Sequence, residues 1–288
     1  METLDKLRNI DYKNTTPEDF LNLIDDTLLV PLLFKVSKGC IIVRSRSGGF
    51  YKKRSQMTYC PVEKCKIRQR ATLPGKTMFY GAISDDNNDA INIASSECSK
   101  LAKGGRNSFG REKITASLWK VTKPLNVISF VTDNTFPEVT NNKLLDFLRN
   151  SFIRNVENGN INDTDIYHFI SSEFSKKVEE GKEYEYLISA TLSTRIIEDL
   201  GFDGIIFPSV RMGGQCGLNI ALSTKAVNNK LKFTRTIEQF YYKYYGKVIS
   251  NIKIEAERGI ITIPERSLTD KQIAKKLGIR NISSLPWI

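Results

Sequence analysis

Histidine is almost missing from this 288-residue chain, where His168 stands alone. One imidazole excludes a His-rich metal site, and it excludes a Ser-His or Cys-His nucleophile pair unless His168 serves it. Around it Ile166, Phe169, Ile170, Phe174 and Val178 recur at helical spacing, so His168 reads as an ordinary helix residue. The five cysteines (Cys40, Cys60, Cys65, Cys98 and Cys216) form no Cys-x-x-Cys pair. Their odd number argues for reduced thiols rather than a disulfide framework, and no metal is expected. No apolar run approaches the ~20 residues of a membrane span. Residues 1–11 alternate acid and base where a signal peptide would have an apolar centre, so the expected address is cytoplasmic, with no membrane partner. Internal repeats and low-complexity tracts are absent too.

What remains is a chain that is 40% hydrophobic, enough to bury a core in one elaborated domain or two small ones. Its net charge of +11 is unevenly placed. Residues 35–76 hold twelve Lys and Arg against one acid, Glu63, and elsewhere the two signs balance. Such a stretch suits an anionic partner, namely a nucleic acid, a phosphorylated ligand or an acidic protein. Charge runs are also commonly just a solvated face.

Thr16-Pro17-Glu18-Asp19 predicts a helix start, with a capping hydroxyl, proline in the first turn and acids at the positive end of the dipole. Phe20 to Leu29 supplies its buried side and Pro31 its stop. Strands are expected at 40–43, 77–82, 118–121, 125–131, 204–208 and 218–222, and helices at 90–101, 144–156, 163–179 and 191–200, the last stopped by Gly201. Residues 231–263 predict two or three antiparallel strands with a turn near Arg258-Gly259, and 268–277 a last helix. Elements mixed without regular β-α alternation point to an α+β fold.

Three loops invite a phosphate reading. Gly104-Gly105-Arg106-Asn107-Ser108-Phe109-Gly110 lacks the Gly-Lys-Ser/Thr of a P-loop, and Gly213-Gly214-Gln215-Cys216-Gly217 opens no helix. Leu73-Pro74-Gly75 is a plain turn signal.

Four segments say more in order than singly. They are Ile42-Val43-Arg44-Ser45-Arg46, Arg70-Ala71-Thr72-Leu73-Pro74-Gly75 running into Phe79-Tyr80, Ala94-Ser95-Ser96-Glu97, and Gly201-Phe202-Asp203-Gly204-Ile205-Ile206-Phe207-Pro208-Ser209 with Asn219 ten residues on. Over roughly residues 38–224 this set resembles the RES family, named for its Arg, Glu and Ser. The family's Gly-Arg-x-Asn turn is replaced here by Gln69-Arg70-Ala71-Thr72. The resemblance implies an ADP-ribosyltransferase-like fold, a split, mostly antiparallel sheet with flanking helices. It implies an NAD-consuming enzyme, known mainly among toxins of bacterial toxin–antitoxin pairs, that cleaves the nicotinamide–ribose bond or transfers ADP-ribose. NAD is then substrate, and an antitoxin or other acidic protein is an expected partner. Glu97, Arg44 and Tyr80 would be catalytic, with Glu97 stabilising the ribosyl cation, Arg44 holding the anionic or ribose part of NAD and Tyr80 stacking on nicotinamide. Arg46, Tyr59, Arg70, Ser209 and Asn219 would bind NAD. Arg44 and Arg46 are read as pointing to alternate strand faces, so that one of the two is functional. The expected organisation is a helical cap (1–37), a catalytic domain (38–224), and a β-rich extension ending in a short helix (225–288), packed on the same body.

The competing expectation is a nucleic-acid binder using residues 35–76, with Phe50, Tyr51 and Tyr59 stacking on bases. A weaker one is an interaction module built on Tyr241, Tyr242, Tyr244, Tyr245 and Trp287.

Overall fold

The computed structural model describes residues 2–24, 32–104, 107–134, 142–209, 217–257, 260–262 and 267–288. In chain order the elements are α1 (Glu2–Arg8), α2 (Pro17–Leu23), β1 (Leu33–Val36), β2 (Ile41–Ser47), α3 (Arg54–Met57), β3 (Phe79–Ile83), α4 (Asn87–Cys98), α5 (Lys100–Lys103), β4 (Gly110–Val121), β5 (Leu125–Ser129), α6 (Lys143–Glu157), α7 (Thr164–Ser175), α8 (Leu187–Glu198), β6 (Gly204–Pro208), β7 (Leu218–Leu222), α9 (Thr224–Lys230), β8 (Leu231–Tyr244), β9 (Lys247–Glu257), β10 (Ile260–Thr262) and α10 (Asp270–Leu277). This is an α+β fold of mostly antiparallel strands with flanking helices. Two compact units are interleaved along the chain. The first holds 1–38, 59–80 and 121–231; the second holds 39–58, 81–120 and 232–288. Both cut through the stretch 38–224.

In the first unit β1 pairs antiparallel with β5, β5 runs parallel to β6, and β6 pairs antiparallel with β7. One apolar cluster packs helices against β6 and β7. Ile205 and Phe207 of β6 and Ala221 of β7 meet Leu4 and Leu7 of α1, Phe20 of α2, Ile166, Ile170 and Phe174 of α7, and Ile188 and Leu192 of α8. Alternation explains the choice, since Ile205 pairs with Ala221 and Phe207 with Asn219, so all four share one face. α2 starts as its sequence predicts. Thr16 accepts from the Asp19 amide while the Asp19 carboxylate accepts from the Thr16 amide. α8 ends at Glu198, and the expected stop glycine, Gly201, follows three residues on with a φ of +73°.

In the second unit β2 pairs antiparallel with β3 on one side and β4 on the other; β8 pairs antiparallel with β9, and β9 with β10. α4 packs on β2 through a contact of Ser45 Oγ with Ser95 Oγ at 3.1 Å. Gln239 of β8 donates to the same Ser95 hydroxyl and accepts from Ser250 of β9 at 3.0 Å. α10 and the C-terminal residues close a small cluster of Tyr242, Ile273, Leu277, Ile282 and Leu285.

Several expectations are corrected. β4 begins at Gly110 rather than at Leu118, because its charged start, Arg111-Glu112-Lys113, sends Glu112 inside the unit and leaves Arg111 and Lys113 partly exposed on the other face. Glu112 is 1% exposed and accepts from the Ser99 hydroxyl (2.6 Å) and the amides of Lys100 (3.1 Å) and Leu101 (3.2 Å). The helix expected over 90–101 starts at Asn87 and breaks after Cys98, where Ser99 caps α5. β1 and α9 were not expected. The three C-terminal strands are present, with the first turn at Tyr245-Gly246; Arg258 and Gly259 lie outside the described residues, as do Leu28, Leu29, Pro31, Gly105, Arg106 and 213–216. No helix among the described residues is long and apolar enough to cross a membrane.

Candidate functional site

The first unit holds five of the eight expected site residues. Gln69 and Thr72 close a tight turn through paired backbone bonds, Gln69 N–H to Thr72 O at 2.8 Å and Thr72 N–H to Gln69 O at 3.1 Å. Tyr80 secures this turn. Its hydroxyl accepts from the Ala71 amide at 3.1 Å and bonds the Thr72 hydroxyl at 2.5 Å. A phenol can accept one bond and donate another, so both are satisfied together. The Tyr80 ring is half-buried against the apolar cluster that contains Phe207 and Ala221. Ser209 and Asn219 belong to that same face. Ser209 follows Phe207 by two residues and Asn219 sits opposite Phe207, which makes them diagonal neighbours. Ser209 is buried and its amide donates to Gly217 O at 2.8 Å.

Arg70 is placed differently from its expected role. Its Nη1 donates to Phe174 O at 2.6 Å and its Nη2 to Lys176 O at 2.9 Å, and its guanidinium lies 5.0 Å from the Tyr186 ring centroid. Those carbonyls end α7, where the dipole is negative and backbone acceptors lack helical partners. The guanidinium fork therefore fastens the turn to the helix terminus. Tyr59 accepts from Asn228 Nδ2 at 3.0 Å, at an exposed position on α9.

The second unit holds Arg44, Arg46 and Glu97. The expectation that the two arginines point to opposite faces is wrong. In the β2–β4 register Arg44 faces Ser117 and Arg46 faces Thr115, both pairs two residues apart, so both side chains leave β2 on one face. Ser45, between them, points to α4. The β2–β3 ladder consists of Ile42 with Ile83 and Val43 with Ala82, while the β2–β4 ladder runs on to Ser47. Arg44 is thus the first residue of β2 beyond the β3 ladder. Arg46 is exposed. Its Nη1 donates to Gln56 O at 2.5 Å and its guanidinium lies 4.6 Å from the Tyr51 centroid. Glu97 is half-buried near the end of α4. The next residue, Cys98, has its thiol pushed up to about 12, first by burial and then by Glu112, against the opposing charges of Lys103 and Arg44.

No protein-family model matches the chain, and no curated protein matches it.

Sequence reasoning missed a cleft of about 460 Å3 in the first unit, lined among others by Thr77, Phe202, Asp203, Thr224, Lys225 and Lys230. Lys230 is bonded to Asp203 at 2.7 Å, so one pair of opposite charges is already matched there. None of the eight expected residues lines this cleft. The Gly-Phe-Asp-Gly run was read as a helix stop and the start of the segment ending in Ser209, and α9, which forms the other wall, is short and asparagine-rich. His168 lies on α7, and its Nε2 meets Asp133 Oδ1 at 2.7 Å. Among the described residues no group of three or more His, Cys, Asp and Glu could hold a metal ion.

Proposed function

We propose that this chain consumes NAD, breaking the nicotinamide–ribose bond and passing the ADP-ribosyl group to water, phosphate or a macromolecular acceptor, in a toxin- or defence-like setting. The ordered Arg44, Tyr80, Glu97, Ser209 and Asn219 set carries this proposal. The α+β fold supports it, as do the shared face of Ser209, Asn219 and the Tyr80-bearing cluster and the ending of the β2–β3 ladder just before Arg44. That ladder end is where an ADP-ribosyltransferase-like split of the strands would begin.

The chemistry is heterolytic. The bond from ribose C1′ to the nicotinamide nitrogen breaks, its electron pair neutralises the ring nitrogen, and positive charge develops on C1′ and the ring oxygen. Water adds to C1′ and loses a proton, or another nucleophile adds in its place. Glu97 supplies fixed negative charge near the developing cation, which is the strongest lever such a site has. Arg44 binds the pyrophosphate or ribose oxygens through its planar fork. Ser209 hydrogen-bonds the nicotinamide amide or ribose, and Asn219 supports it. Tyr80 offers one ring face to nicotinamide while its hydroxyl keeps the 69–72 turn in place, and Arg70 acts as a positioning residue for that turn.

The test is nicotinamide release from NAD by the purified full chain, run beside NAD labelled in its ADP-ribose part and a cell lysate. Wild type is expected to release nicotinamide, and Glu97→Gln or Arg44→Ala to lower the rate by about 10²–10³-fold. Intact NAD together with no label transferred to any lysate component, from protein that melts cooperatively, overturns the proposal.

A further inference from the structure

One face of the second unit collects cations and aromatic rings that the proposed NAD chemistry does not use. Arg111 and Lys113 of β4 alternate onto the side of the sheet that also carries Thr115 and, opposite it, Arg46. Thr115 Oγ1 donates to Gly49 O at 2.9 Å and accepts from the Tyr51 amide at 3.0 Å, which fixes the loop carrying Phe50, Tyr51 and Lys52 over this face. Phe50 packs edge-on against Phe240 of β8 (centroids 5.4 Å apart), and Phe240 lies 5.4 Å from Trp287. Lys113 Nζ lies 5.3 Å from the Phe50 centroid and 5.1 Å from that of Trp287, and the Arg111 guanidinium lies 4.4 Å from Trp287.

Trp287 is held there by the backbone. The Arg111 amide donates to Pro286 O at 2.8 Å and the Ile288 amide to Arg111 O at 3.0 Å. A Cβ at Gly110 would come within 2.9 Å of Pro286 O and the Ile288 side chain, so the close approach needs glycine. Even so, Trp287 is 49% exposed and Phe109 51%. The carboxyl that faces Lys52 and Lys113, Glu238, is itself buried, and Asp270 acts on Tyr242 opposite the charge of Arg111. Main-chain bonds thus hold a half-exposed indole in place with two cations at cation–π distance, a fixed aromatic surface with positive charge beside it.

We propose that this face binds single-stranded nucleic acid, with bases stacking on Trp287 and the Phe50–Phe240 pair and phosphates paired to Arg46, Lys52, Arg111 and Lys113. Charge complementarity favours a polyanion, and the rings favour one with flat aromatic units over an acidic peptide. The surface differs from the basic stretch 35–76 expected from sequence. Seven of that stretch's twelve cations belong to the first unit, and Arg111, Lys113, Phe240 and Trp287 lie outside the stretch altogether.

The experiment titrates the full chain with fluorescein-labelled 20-nucleotide oligothymidylate, oligouridylate, a duplex of equal length and poly-glutamate. It follows anisotropy and tryptophan emission at several salt concentrations. Trp119, the second tryptophan, is fully buried, so quenching reports on Trp287. Both single strands are expected to bind and quench, and a difference between them tells which sugar is preferred. Trp287→Ala should weaken binding about tenfold or more, while Trp287→Phe keeps the ring and most of the affinity. Arg111→Ala with Lys113→Ala should lower the log–log salt slope by about 1.4, two phosphates on a single strand. No binding of either strand at low salt overturns the proposal. Equal binding of poly-glutamate with no loss in a folded Trp287→Ala variant also overturns it and marks an acidic-protein surface instead.

Discussion

Each unit buries both apolar and polar groups, and one cluster from each makes a useful contrast. The first closes on an apolar cluster to which α1, α2, α7, α8, β6 and β7 all contribute, with Phe130 and Phe174 stacked at 4.1 Å and Phe207 5.7 Å from Phe174. In the second unit a polar network ties separate segments together. Ser95, Ser99, Glu112, Gln239, Lys243 and Asn251 are each 5% exposed or less. Lys243, for example, donates to Leu101 O at 2.9 Å and Gly104 O at 2.7 Å, closing the end of α5. Apolar packing is non-directional and scales with area, so the first unit loses stability in proportion to the volume removed. A buried polar network is held by pairing, so the second loses most when one partner goes and the other stays.

The largest expected effect is in the first unit. Phe174→Ala removes a fully buried ring that touches two others, and should cost about 3–5 kcal/mol. Chemical denaturation measures it, and a loss below about 1 kcal/mol would show that the cluster does not hold this unit together. Second is Glu112→Gln in the other unit, a change that conserves volume. The carboxylate accepts three bonds, one from a hydroxyl and two from amides, and an amide side chain offers a single acceptor oxygen and adds two N–H groups facing donors. About 2–3 kcal/mol should be lost, with faster hydrogen exchange at the Lys100 and Leu101 amides. An unchanged exchange rate at those two amides would count against the network description.

The same contrast explains what the sequence disclosed. α2, α6 and α7 were legible because caps and helical spacing are local signals, and β6 and β7 because short apolar runs end in turn residues. Ser209 and Asn219 were picked out by the family resemblance and by no pairing signal; the β6–β7 register then puts them on one face. Arg111-Glu112-Lys113 was not, because charge normally marks solvent, and only the distant Ser99–Leu101 segment turns Glu112 into an interior acceptor. Arg70 likewise has its partners at Phe174 and Lys176, over a hundred residues away, which no local pattern reports. The side chains of Arg44 and Arg46 were legible in principle. Residues two apart on a strand share a face, and the expectation that they differ misapplied that period.

A smaller effect tests whether a charge is tolerated in the polar interior of the second unit. Burial holds the Glu238 carboxyl above its usual value of 4.5, against the opposing pull of Lys52 and Lys113. A folded-state pKa above the unfolded one favours the fold below the unfolded value, and that advantage is lost as pH rises through the folded pKa. Glu238→Gln removes the titration, so its Tm should exceed that of wild type at pH 7 and the gap should close below pH 4.5. A gap independent of pH would mean that Glu238 ionises without cost.

The smallest expected effect compares like with like, because each unit contains a helix opened by a threonine capping box. In the first, Thr16 and Asp19 exchange bonds at the start of α2; in the second, Thr269 and Gln272 do so at the start of α10. An N-cap threonine is worth about 1 kcal/mol, so Thr16→Ala and Thr269→Ala should destabilise similarly at neutral pH. Their pH dependence should differ. Bonds from the Thr16 hydroxyl and amide hold the Asp19 carboxyl below its usual value of 3.8. A depressed folded-state pKa gives stability that is present above the unfolded value and lost as pH falls through the folded one. Gln272 does not titrate. The Thr16→Ala penalty should therefore shrink in acid while the Thr269→Ala penalty stays level, as read by hydrogen exchange at the Asp19 and Gln272 amides. Parallel acid profiles at the two amides would show that the charge of Asp19, rather than the bonds it accepts, is irrelevant to how α2 begins.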